Sequence, residues 1–170
     1  MIISIIVISL IGTLGHFLYD LSNHNKIVGV FAAVNESTWE HIKIALTPTF
    51  LWSILDGCVY GSNTNYFFAK FICLLSIMII IPVIFYLYKF IFKNTLLFVD
   101  VLIFYISIII SQLLFRYILG LNPLEFFFNY IGCFGVFIIF GAYLLLTLFP
   151  PKNFIFKDPI SKKYGFKGHV

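Results

Sequence analysis

Five stretches of about 20 mainly apolar residues follow one another along this chain, each long enough to cross the hydrocarbon core of a bilayer as a helix. They cover residues 2–21, 38–59, 66–88, 95–119 and 123–149. In lipid every backbone amide needs an internal partner, and only helices and closed barrels supply one. A barrel strand alternates apolar and polar residues, whereas residues 76–85 and 101–110 are apolar throughout most of their length. The expected fold is all-α, an integral membrane bundle of five transmembrane helices in residues 1–149, with a basic cytoplasmic tail at 150–170.

Composition points the same way. Only 11% of the 170 residues are charged, against about 25% in soluble domains. The chain cannot dress a water-facing surface of ordinary size. Its 22 Phe, with abundant Ile, Asn and Lys and little Ala, suggest a genome poor in G and C, hence a bacterial source. The apolar N-terminus has no basic leader or cleavage signature and reads as part of the first span. Cys58, Cys73 and Cys133 form no C-x-x-C pair and read as buried free thiols. No phosphate loop, nucleophile elbow or H-E-x-x-H string is present, and nothing specifies a cofactor.

Basic residues orient the bundle. Five lysines follow Phe149; Lys26 and Lys43, and Lys89 and Lys93, fall on the same side as that tail. Only Lys70 and Arg116 fall on the other. The positive-inside rule then puts the C-terminus in the cytoplasm and the N-terminus outside the cell membrane. The tail also mixes Phe154, Ile155 and Phe156 with its lysines, a composition suited to anionic lipid headgroups. The basic residues make no stripe on a soluble element, which argues against nucleic-acid binding.

The unusual chemistry is concentrated between His16 and Lys43. His16, Asp20, His24, Lys26, Glu36, Glu40, His41 and Lys43 all lie here, including three of the four histidines. The apolar piece at 27–34 is too short to span and reads as interfacial or re-entrant. On the first span Ser9, Thr13, His16 and Asp20 share one helical face, with Gly12 and Gly15 nearby for close packing. On the second, Glu36, Glu40, Lys43 and Thr47 make a narrow stripe. His41 points roughly 100° away from it, so it is no obvious partner of Glu40. Ser37 to Glu40 fits a capping box, and Asn122-Pro123-Leu124-Glu125 fits a helix start with proline at the first position. Pro48 would free the carbonyl of Ile44 close to Glu40 and Thr47. The candidate polar site is His16, Asp20, Asn35, Glu36, Glu40, His41 and Lys43, with His16, Asp20 and Glu40 as metal candidates.

A plainer reading competes with this one. Glu36 and Glu40 would serve the helix dipole, His16 and Asp20 would sit at the water boundary, and Trp39 would be an interfacial anchor. Against it stands the like-charge spacing of Glu36 and Glu40, which calls for a compensating cation; Lys43 could be that cation, and no metal would then be required. Asp100 reads either as interfacial or, with Phe104, Ser107 and Ser111 continuing its face, as a further carboxylate turned inward. On the outer side Arg116 could pair with Asp56 or Glu125.

The strings Gly15-His16-Phe17-Leu18-Tyr19-Asp20, Val28-Gly29-Val30-Phe31, Val34-Asn35-Glu36-Ser37-Thr38-Trp39-Glu40-His41-Ile42-Lys43 and Phe156-Lys157-Asp158-Pro159 resemble a family of small multi-span bacterial membrane proteins, the domain of unknown function 6512. The resemblance implies a membrane location and no particular activity. Three functions stay open. One is a protein that moves or senses a small solute or ion, completed by a homodimer since no internal repeat is visible. Another is an intramembrane metal enzyme acting on a lipid-like substrate. The third is an accessory subunit that docks a partner through residues 35–43.

Overall fold

The computed structural model describes residues 1–168. Seven α-helices follow in order: α1 (Ile2–Gly15), α2 (Leu18–Leu21), α3 (Lys26–Phe31), α4 (Thr38–Tyr60), α5 (Tyr66–Phe92), α6 (Leu97–Leu119) and α7 (Phe126–Leu148). A 3-10 turn at Gly165–Gly168 closes the described chain, and no strand occurs among the described residues. Four helices, α4 to α7, are long and apolar enough to cross a membrane. Their outward faces carry large apolar side chains: Phe90, Phe92, Leu97, Phe98, Phe127 and Phe134 are 65–82% exposed. Water could not solvate such a surface and a bilayer can, so the protein is a multi-pass membrane protein.

The first expected span differs from a single 20-residue helix. Helix α1 has 14 residues, about 21 Å of rise. Its last turn tightens, with His16 and Phe17 donating to carbonyls three residues back. A continuing helix would use the Gly15 carbonyl for Tyr19; here that carbonyl accepts from the Ala33 amide at 3.1 Å. The chain bends, makes the single turn of α2, and forms α3 behind an Asn25 cap that accepts from the Ile27 amide. The expected interfacial piece is therefore a short helix that returns to α4 along extended residues.

Helix α5 is the centre of the bundle and packs against α4, α6 and α7, while α1 lies along α4 and α6. Close approach needs glycine at two crossings. A Cβ on Gly12 would lie 2.6 Å from the Ile44 carbonyl oxygen, so α1 sits directly on α4 at the point where Pro48 withholds its amide. The freed carbonyl is thus covered by α1 rather than offered as a ligand. A Cβ on Gly132 would overlap the backbone nitrogen of Phe68, which brings α7 onto α5.

Three local readings are corrected. Residues 122–125 precede α7 instead of opening it, because buried Asn65 holds this loop: its amide donates to the Ile118, Leu121 and Asn122 carbonyls, and its oxygen accepts from the Leu124 amide. Trp39 is not an interfacial anchor. It is 3% exposed, stacks on Phe156 at 5.0 Å and donates from its indole to Thr147. The tail is thereby docked, with Phe156 and Asp158 buried and all five lysines exposed. The three cysteines are free, but only Cys73 is buried; Cys58 is exposed and Cys133 lies between.

Candidate functional site

The seven candidate residues meet at one end of the bundle, yet they divide into three groups. Glu40 and Lys43 form the first. The Lys43 ammonium lies 2.5 Å from the Glu40 carboxylate, with the two side chains 0% and 3% exposed. The same carboxylate accepts from the Val34 amide at 3.0 Å, and Lys43 also donates to the Gly29 carbonyl at 2.7 Å. This pair ties α3 and the return segment to α4. The expected capping box does not form, since Glu40 reaches back past Ser37 to Val34. Lys43 is the compensating cation.

Asp20 makes the second group. The bend after Gly15 places it on α2, beyond the end of α1 where His16 sits. Its side chain is 65% exposed and lies 3.5 Å from His24. It remains on the rim of the cavity that His16 lines.

Glu36, His16 and His41, with Asn35 in the turn that holds Glu36, make the third. Glu36 precedes α4, so it belongs to no stripe with Glu40. Its backbone amide donates to Asp158 of the tail, while Asn35 caps the turn by accepting from the Ser37 amide and donating to the Gly165 carbonyl. Held this way, the Glu36 carboxylate stands between two imidazoles: His16 Nε2 is 3.4 Å from one oxygen and His41 Nε2 is 3.8 Å from the other. The rings are 6.0 Å apart. His41 Nδ1 lies 3.0 Å from the Ser37 carbonyl oxygen. A carbonyl only accepts, so Nδ1 carries the hydrogen and a neutral His41 turns its bare Nε2 toward Glu36. The Glu36 carboxyl is held below its ordinary value, chiefly by its hydrogen bond to His16.

Two small cavities adjoin this cluster and share Glu36 as a wall. One, about 150 Å³, has His16, Asp20, Asn35 and Asp158 in its lining. The other, about 130 Å³, has His41, Thr38, Lys89 and Asp100. Asp100 therefore turns inward, and Phe104, Ser107 and Ser111 continue its buried face. Buried His16 Nδ1 and Asp100 Oδ1 have no hydrogen-bond partner. Such orphans are uncommon in folded proteins and call for an explanation. Sequence reasoning missed Asp158 as a support of Glu36, although the Asp-Pro string was one carrier of the family resemblance.

The metal candidates His16, Asp20 and Glu40 thus have Glu36, His24 and Lys43 beside them, respectively. Among the described residues no three His, Cys, Asp or Glu side chains are disposed to hold a metal ion. Residues 35–43 are engaged by the chain's own tail through Asn35, Glu36 and the Trp39 amide, which donates to the Ile155 carbonyl. At the opposite end Asp56 pairs with Lys70 at 2.6 Å, not with Arg116, whose guanidinium lies over the Tyr60 ring.

Fold and site define a multi-pass helical membrane protein with a carboxylate held between histidines at one end of the bundle. The chain belongs to the family of unknown function DUF6512, which it matches over residues 1–166. No curated protein and no solved structure matches it.

Proposed function

We propose that this is a five-crossing protein of the bacterial cell membrane that handles a small solute or ion through a proton-responsive site at its cytoplasmic end. The observation that carries the site is Glu36, bracketed by His16 and His41 and walling two polar cavities. Glu40, the other carboxylate of the stretch, is consumed by Lys43 and plays a structural part. Cavities on both sides of the Glu36 carboxylate, which stands between two imidazoles, give a small polar species access to groups that can exchange a proton.

The fifth crossing is α1 with its continuation. Met1 and Ser4 line a cavity with Asp56, Tyr60 and Arg116, at the far end of the bundle from His16. This supports a helix that runs the depth of the membrane with residues 16–21 completing it. The N-terminus is then outside and the tail cytoplasmic. Exposed Lys152, Lys162, Lys163 and Lys167 border a shallow groove beside Leu148 and Phe166. That supports contact between the folded tail and anionic headgroups of the inner leaflet.

Purified protein in liposomes loaded with a pH-sensitive dye tests the site. Proton or cation flux, driven by an imposed potential, should depend on pH and fall on Glu36→Gln. Flux equal to that of protein-free vesicles, or unchanged in Glu36→Gln, His16→Ala and His41→Ala alike, overturns the reading. A C-terminal reporter found outside the cell overturns the orientation.

A further inference from the structure

Away from the polar end, a cavity of about 470 Å³ lies between α4 and α7 with α5 as its floor. Pockets of roughly 300–1,000 Å³ are of ligand-binding size. At one place the two flanking helices meet through Phe50, whose ring contacts Phe140 and Tyr143 at 5.4 and 5.7 Å. Beyond that contact the crevice opens sideways. Leu51 and Ile54 of α4 and Phe140 of α7 line it and are 55, 67 and 42% exposed. On helices that cross a membrane, those exposed side chains face hydrocarbon.

The polar groups of the lining identify the occupant. The Thr47 hydroxyl donates to the Phe31 carbonyl at 3.0 Å, and the Tyr143 hydroxyl to the Val30 carbonyl at 2.7 Å. Ser53 donates to the Thr49 carbonyl and Tyr66 to the Ser53 carbonyl, each at 2.7 Å. Lys70 is spent on Asp56 at 2.6 Å. The hydroxyl hydrogens are all taken, Lys70 is held by Asp56 and lies over the Phe115 ring, and nearly all of the lining surface is apolar, so a polar solute entering the crevice would lose its water for little in return. Water itself needs about 2–4 polar partners to be held in such a space. A void of this size, apolar in what it offers and open to the bilayer, suits hydrocarbon.

We propose that this crevice is a binding site for one acyl chain of a membrane amphiphile, entered sideways between α4 and α7. A bilayer phospholipid and a free fatty acid carry the same chain, and the test separates them. The full-length protein is placed in phosphatidylcholine–phosphatidylglycerol liposomes with a trace of either phosphatidylglycerol or fatty acid bearing a mid-chain diazirine. After irradiation the adducts are mapped to peptides, with and without excess unlabelled amphiphile. Adducts should concentrate on residues 47–54 and 136–143, saturate, and fall several-fold in Val136→Trp, which fills the crevice. Those on the outward face of α6 should neither saturate nor change. The probe that saturates names the source; both doing so means that the chain alone is recognised. Wild-type labelling that is spread evenly over all outward faces and does not saturate overturns the proposal whether or not the variant folds, as does saturable labelling unchanged in folded Val136→Trp.

Discussion

Replacing Lys43 with methionine removes an ammonium but leaves the stem to pack. What remains is a Glu40 carboxylate that is 3% exposed, with the Val34 amide as its hydrogen-bond donor. The Gly29 carbonyl also loses its donor. Breaking a buried pair from one side costs about 3–5 kcal/mol, because the surviving charge is stranded. Glu40→Gln strands the ammonium instead and should cost a similar amount. The double variant Glu40→Gln/Lys43→Met carries neither charge. Its glutamine oxygen can still accept from Val34, so the main loss is the unpaired Gly29 carbonyl, about 1–3 kcal/mol. The double variant should therefore be more stable than either single one, with a coupling of about 3 kcal/mol or more. Reversible unfolding in mixed micelles, followed by the fluorescence of Trp39 and Trp52, measures all four corners of the cycle. Faster hydrogen exchange at the Val34 amide in the single variants would locate the loss at the α3 return. Single variants within about 1 kcal/mol of wild type, or simple additivity, would refute the claim that this pair is a dry structural clamp.

Three further outcomes follow from other contacts. His16→Ala should raise the Glu36 pKa toward the ordinary carboxylate range, read by side-chain carboxyl carbon NMR against pH; an unmoved titration refutes the pairing. The stability carried by this half-exposed pair is at most about 1 kcal/mol. It is present above the ordinary glutamate range and lost as pH falls through the lowered Glu36 value. Gly132→Ala should cost about 1–3 kcal/mol in the same micelle assay, since its Cβ overlaps the backbone of α5 with no flexible atom to give way. Phe156→Ala should cost about 3–5 kcal/mol and make the tail cleavable by protease near Lys157, because Phe156 is 5% exposed and is the stacking partner of Trp39.

Hydropathy is a local quantity, and what depends on it was legible. The membrane class and the positions of α4 to α7 follow from runs of apolar residues that must satisfy their own backbones in lipid. The concentration of polar residues at 16–43 was equally plain, as was the option that Lys43 neutralises Glu40. Partnership across the chain was not. Helical periodicity put Glu36 beside Glu40 and left His41 aside, but the helix begins two residues after Glu36, and Asp158 from the tail holds that residue toward both histidines. The first span read as continuous, since nothing local reveals that Ala33 takes the Gly15 carbonyl. Trp39 read as a belt residue until Phe156 covered it. The sequence by itself determined that the segments of α4 to α7 are long and apolar enough to cross a membrane, because that depends on each segment's own side chains. Tertiary structure alone decided which carboxylate is clamped and which stands open between histidines, because hydrogen bonds and ion pairs are settled by what the rest of the chain brings within reach.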